Sequence, residues 1–275
     1  GNDSVVTILA INSHQAVSTI TGHGEGNVGG IFTGIIRLDF SPDGNLLATA
    51  GADGYAKVWE VATGAQRYAW RVDPRDSVFW TGDGEVPNGV ESVKFSPNGR
   101  FLAASTDEAD GDGGIIKIWE LENGMEMTVV EDSPRRLLAL AFSPDSKRVA
   151  SVGSSGIIRV WDVTTGERVA NLEGETTTIN AVHFSADGSQ LITGRRSTVI
   201  WDLESEEALV TLPQGLRPSA LSLDGQYLAT IGEQGIHIYT LNFEELLAIA
   251  QSRVSRNLTE AECKEYLHVD ACPAN

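Results

Sequence analysis

The stretch Leu38-Asp-Phe-Ser-Pro-Asp-Gly44, followed by the apolar run 46–50 and by Tyr55-Ala-Lys-Val-Trp59, decides how this chain folds. Proline fixes φ, and Asp-Gly supplies a residue that tolerates positive φ, so the segment reads as a strand entering a tight reversal. Four further segments repeat it: Val93-Lys-Phe-Ser-Pro-Asn-Gly99, Leu140-Ala-Phe-Ser-Pro-Asp-Ser146, Val182-His-Phe-Ser-Ala-Asp-Gly188 and Ala220-Leu-Ser-Leu-Asp-Gly225. After each comes a short apolar strand, then a strand of alternating polarity that ends on an aromatic residue: Trp59, Trp119, Trp161, Trp201 and Tyr239.

Strands joined by such turns are antiparallel neighbours, and their period-two alternation sets one side of a small sheet against another sheet. A fourth, outer strand is supplied by segments such as 64–68, 126–130, 167–172 and 208–212. Small four-stranded sheets with two apolar faces need others stacked beside them, which radial repetition provides. The expected fold is all-β, a propeller of four-stranded antiparallel blades over residues 1–241. Its repeats lie near 35–70, 90–130, 137–172, 179–212 and 217–241, with an N-terminal partial blade.

Trp161-Asp162, Trp201-Asp202, Trp59-Glu60, Trp119-Glu120 and the pair Gly22-His23 resemble the signature positions of the WD-repeat (WD40) family, over residues 14–241. The resemblance implies a structural hydrogen-bond tetrad of His23, Thr49, Asp53 and Trp59. The later blades lack the histidine and are expected to rely on packing. It also implies that each repeat begins with the outer strand of the preceding blade. Segment 16–21 then either closes a five-blade ring on the last blade or, with 5–11 as a third strand before it, belongs to a longer array. The longer array is the favoured expectation.

Blade two carries the extra length. From Phe95 to Trp119 the interval is 24 residues, against 19 from Phe40 to Trp59, and from Trp59 to Phe95 it is 36, against 23 from Trp119 to Phe142. In the family both loops emerge on one face, so 71–89 and 106–114 are expected to protrude together. The first contains Arg75, Phe79 and Trp80, residue types suited either to a partner or to packing on the rim. The second, Asp107-Glu-Ala-Asp-Gly-Asp-Gly-Gly114, lacks the closing bidentate Glu of a calcium loop and reads as a solvated acidic hairpin.

Thirty-eight acidic residues stand against 20 basic ones, a net charge of −18, which repels phosphate backbones and anionic lipid. No apolar run is long enough to cross a bilayer, so a soluble chain is expected, without membrane insertion and without nucleic acid as partner. Gly24-Glu-Gly-Asn-Val-Gly29 matches a dinucleotide fingerprint by letter, but a strand is expected after it where the cofactor needs a helix. No protease-type zinc helix and no nucleophile elbow occur, and the five histidines are scattered. The chain is expected to be non-enzymatic, with no cofactor and no metal.

Past residue 241, Asn242-Phe-Glu-Glu245 and Thr259-Glu-Ala-Glu262 read as capped helix starts, giving a C-terminal helical extension over 242–275 that packs on the propeller. Cys263 and Cys272 either form a disulfide or remain two thiols. This tail resembles the chain end of bacterial STAND-type signalling NTPases followed by WD repeats, whose propeller acts as the sensor arm.

That resemblance implies a cytoplasmic sensor or scaffold for a protein or peptide, including upstream domains of the same polypeptide. The alternatives are an extracellular or periplasmic binding arm of a receptor or kinase and, behind it, a propeller hydrolase or lyase. Family ligands touch the residue four before the inner-strand aromatic, here Ile36, Glu91, Leu138, Asn180 and Arg217, and the one before the turn Asp, here Ala52. With Arg75, Phe79 and Trp80 these are expected to ring one mouth of the central channel.

Overall fold

One hydroxyl explains the repeated turn. Ser41 Oγ donates to Asp43 Oδ1 (2.6 Å) and accepts the Leu46 N–H (2.8 Å), while Asp43 Oδ1 accepts the Asn45 N–H (3.0 Å). The same triangle recurs from Ser96 to Asn98 (2.7 Å), Ser143 to Asp145 (2.6 Å), Ser185 to Asp187 (2.6 Å) and Ser222 to Asp224 (2.5 Å). Gly44, Gly99, Gly188 and Gly225 follow at φ of 69–72°, and Ser146 takes the same left-handed conformation at 61°. The Ser-x-Asp pair is therefore the turn's internal scaffold, and glycine supplies the backbone region that L-residues resist.

The computed structural model describes residues 4–241 except 24–26, 29–30, 33, 73–77, 82–83, 88, 107–113, 132–135, 174–177, 196, 213–216, 223 and 233–234. For 27–28, 31–32, 78–81, 84–87, 129, 131 and 217–219 only the backbone is described. The expected helical extension over 242–275 with Cys263 and Cys272, together with Arg75, all but the last residue of the acidic loop and most of the glycine-rich segment 24–29, lies outside the described residues.

Every regular element among the described residues is a strand, and none is a helix long and apolar enough to cross a membrane. Strands β1 (Val5–Leu9) and β2 (Ala16–Thr21) pair with each other, and β3 (Asn27–Val28) with β4 (Ile31–Phe32). The first full blade is β5 (Ile35–Phe40), β6 (Leu46–Gly51), β7 (Tyr55–Glu60) and β8 (Gln66–Arg71), in sequence order and antiparallel throughout. A hairpin of β9 (Val78–Thr81) and β10 (Gly84–Pro87) follows.

The second blade is β11 (Val90–Phe95), β12 (Phe101–Thr106), β13 (Ile115–Glu120) and β14 (Glu126–Glu131). The third is β15 (Leu137–Phe142), β16 (Arg148–Gly153), β17 (Ile157–Asp162) and β18 (Arg168–Glu173). The fourth is β19 (Ala181–Phe184), β20 (Gln190–Gly194), β21 (Thr198–Asp202) and β22 (Ala208–Thr211). A three-stranded sheet of β23 (Arg217–Leu221), β24 (Tyr227–Gly232) and β25 (Gly235–Thr240) ends the described array. Register shifts precede each blade tryptophan, at 58/59, 118/119, 160/161 and 200/201, and such bulges sharpen the twist of a strand.

The core lies between blades. Ala48, Ala50 and Val58 of the first blade meet Val93, Phe95 and Trp119 of the second. Ala103, Ile116 and Ile118 meet Leu140, Phe142 and Trp161, and Val152, Ile158 and Val160 meet Val182, Phe184 and Trp201. Trp59, Trp119, Trp161 and Trp201 are buried, as the alternation requires. Four-stranded antiparallel sheets stacked blade on blade in this way are the architecture of a β-propeller.

The two ends of the array depart from this rule. Phe95, Phe142 and Phe184 are 6%, 8% and 6% exposed, whereas Phe40, at the same place in the first blade, is 53% exposed. Strands β1 and β2 cover the back of that blade only as far as Leu47 and Trp59, through Ile20, Val6 and Ile8. At the other end Ile238 is 71% exposed, while its counterparts Val58, Ile118 and Val160 are fully buried. Segment 16–21 pairs with β1 and not with β25, so it is not the outer strand of the last sheet, and the five-blade closure is corrected accordingly.

Candidate protein-binding face

Local chemistry fixes the first blade beneath this face. His23 bridges Asp53 (Nδ1–Oδ1 2.9 Å) and Thr49 (Nε2–Oγ1 2.6 Å), and Trp59 Nε1 donates to Thr49 Oγ1 at 2.8 Å. The indole can only donate, so Thr49 Oγ1 accepts from Trp59 while it also contacts His23 Nε2 at hydrogen-bond distance. Burial opposes the charge of Asp53, but the hydrogen bond and attraction of His23, with Lys57 beside it, outweigh that and hold the carboxyl below its ordinary range. Gly51 leaves room for the arrangement, because a Cβ there would meet His23 Nδ1 and Asp53 Oδ1 inside van der Waals contact.

The expectation that later blades rely on packing fails for the third and fourth. Trp161 Nε1 donates to Ser151 Oγ (3.0 Å) and Trp201 Nε1 to Thr193 Oγ1 (2.9 Å), so these blades keep the tryptophan–hydroxyl half of the network without the histidine. In the second blade the equivalent position is Ala104, and Trp119 stacks instead on Trp70 of the first blade, which stacks on Tyr68. Tyr68 Oη donates to the Leu121 carbonyl (3.0 Å) and Trp70 Nε1 to that of Gly124 (3.2 Å). Sequence reasoning missed this substitute because its partners lie in different repeats; the two aromatics of the outer strand Gln66–Arg71 were its only trace.

Among the residues expected at the channel mouth, Leu138 and Asn180 line one cavity, with Leu138 half-buried and Asn180 exposed. Ile36 is half-buried beside Gly89 and Ala52. Ala52 is buried, at 8% exposure, and its N–H is bonded to the Gly34 carbonyl, so it offers a partner little surface. Glu91 is engaged by Arg136 at 2.6 Å. Arg217 opens β23 opposite Ile231, and its side chain is not described.

The insertion 71–89, expected as a loop, contains a β-hairpin in which Phe79 pairs with Val86 and Trp80 with Glu85. Val78, Phe79, Trp80 and Thr81 are all β-branched or aromatic, the residue types that favour strands. The side chains of Phe79 and Trp80 are not described, and the acidic segment meant to protrude beside them is outside the described residues. Among the described residues no three His, Cys, Asp or Glu side chains come together as a metal-binding group.

The first strands also bring together residues that the sequence did not single out. Arg37, Lys94 and His183 share the cavity with Leu138 and Asn180. Lys94 is paired with Asp39 (2.7 Å), which also accepts the Phe95 N–H (2.8 Å). His183, read from sequence as a packed side chain, is half-buried in the lining; burial, and then Lys94, push its pKa down, so the ring stays uncharged near neutrality.

A family model described as "WD domain, G-beta repeat" matches residues 14–60, 80–120, 129–162 and 166–202. Eukaryotic translation initiation factor 3 subunit I of Debaryomyces hansenii is 27% identical over 151 residues, 55% of this chain and 36% of that protein. Small ribosomal subunit protein RACK1 of Brassica napus is 31% identical over 135 residues, 49% of this chain and 32% of that protein. The match thus spans about a third of the length of these relatives.

Proposed function

The chain belongs to the WD-repeat family, and from that premise we propose that it is a non-catalytic scaffold that binds a protein or peptide at the mouth of its central channel. The observation that carries the reading is the convergence of first-strand residues from successive blades, Leu138 and Asn180 with Arg37 and Lys94, on one cavity. Apolar, amide and charged groups side by side suit a peptide, which presents all three. One relative is by its name a subunit of a translation initiation factor and the other a protein of the small ribosomal subunit, which supports a scaffold role here.

The finer reading is a sensor arm. The propeller holds an upstream effector of the same polypeptide in check until a ligand occupies the channel mouth, with the hairpin containing Phe79 and Trp80 as part of the contact. No catalytic residue is needed for this.

Selection of a random dodecapeptide library on the immobilised chain tests the scaffold reading. The expected result is a recovered family of peptides whose binding is weakened by Leu138→Ser and Asn180→Ala. Recovery of no peptide, or of peptides indifferent to both changes, contradicts it.

A further inference from the structure

The cavity between the first strands has a volume of about 410 Å³, and its described lining includes Arg37, Lys94 and His183 but no Asp or Glu. This is opposite in sign to the chain as a whole, which carries −18. Asp39 beside it is already engaged, one oxygen by Lys94 and the other by the Phe95 N–H. Arg37 is exposed and gives one N–H to the neighbouring Ile36 carbonyl (3.1 Å), which leaves most of its guanidinium fork turned to other acceptors. Counting Arg37 and Lys94 against Asp39, with His183 neutral, the site holds a net charge of +1.

We propose that this cavity takes a carboxylate side chain from an acidic peptide segment, with Arg37 as the principal clamp and Lys94, set by Asp39, as the second cation. A guanidinium matches a carboxylate with two parallel hydrogen bonds. The amide of Asn180 stands at the same lining as a further donor. The volume is within the roughly 300–1,000 Å³ of ligand clefts, enough for a side chain and its flanking backbone. A nucleic acid fits the observations less well. An extended polyanion meets the field of the whole acidic surface, whereas a single carboxylate inside the cavity meets the local cations well within a Debye length of about 8 Å. The inference rests on the reading of the chain as a peptide-binding scaffold and names the chemistry of its ligand.

Calorimetric titration of the full chain with an end-blocked octapeptide carrying one glutamate among glycines and serines, against its counterpart with glutamine at that place, in about 0.15 M salt is the test. The proposal expects saturable binding of the glutamate peptide and at least about tenfold weaker binding of the glutamine one. It expects a similar loss on Arg37→Gln, part of it restored by Arg37→Lys, at unchanged melting temperature. Absence of saturable binding, equal affinity for the two peptides, indifference to Arg37→Gln, or tighter binding of an oligothymidylate octamer overturns it. If library-selected peptides bind while the glutamate peptide does not, the carboxylate site fails and the scaffold reading stands; if no peptide of any composition binds, both fail.

Discussion

Trp70 and Trp119 stack across the boundary between the first and second blades, with ring centroids 4.9 Å apart and planes inclined by 13°. The contact joins an outer strand to a third strand 49 residues later and stands where the first, third and fourth blades use a hydroxyl beside the tryptophan. Trp70→Ala is expected to cost about 3 kcal/mol, the lower part of the range for removing a large aromatic, because Trp70 itself is only half-buried. Denaturant unfolding measures it. Replacement with phenylalanine keeps a stacking face and should recover at least half of the loss.

Asp53 makes the first blade sensitive to acid. Its carboxyl is held below the ordinary value in the folded chain, so its contribution is complete above the unfolded value near 3.8 and disappears as pH falls through the folded one. Asp53→Asn should therefore lower the melting temperature at pH 7, and the difference from the unsubstituted protein should shrink below about pH 4. Turn carboxylates such as Asp145 and Asp187, held down first by their serine hydroxyls, titrate with the same sign in both proteins and cancel from the comparison. A gap that stays constant down to pH 3 would show that the charge of Asp53 adds no stability.

Much of this fold was legible because the repeat states its own physics. Ser-Pro-Asp-Gly spells the turn, and the alternation around Trp59 or Trp161 spells which side faces the next blade. The tetrad residues were also legible as letters, through Gly22-His23 and Trp59-Glu60. What the letters did not carry was anything assembled from different repeats. Arg37, Lys94 and His183 occupy first strands of three blades with no shared residue type, so only the stacking of those strands reveals them as neighbours. The hairpin at Val78–Thr81 and Gly84–Pro87 was hidden for another reason, since four-residue strands outside the repeat have too short an alternation to stand out.

The exposed ends of the array give a paired test of its architecture. Phe142 is packed between the second and third blades, and Phe142→Ala should cost about 3–5 kcal/mol. Phe40 holds the same place in its repeat but is 53% exposed, and Phe40→Ala should cost under about 1 kcal/mol in the same denaturation experiment. Equal losses at the two sites would mean that something covers Phe40 in solution.

The central claim is that the channel mouth binds a protein or peptide and is not merely a solvated rim. Affinity and melting temperature measured together on Trp80→Ala and Arg217→Ala, with peptides recovered by library selection as ligands, test it most directly. Loss of an aromatic or arginine anchor should weaken binding by about 2 kcal/mol, roughly thirtyfold, while the melting temperature stays within a degree or so of the unsubstituted protein. If Trp80→Ala instead lowers the melting temperature substantially and leaves affinity intact, the hairpin is a packing element and the binding face has been misplaced.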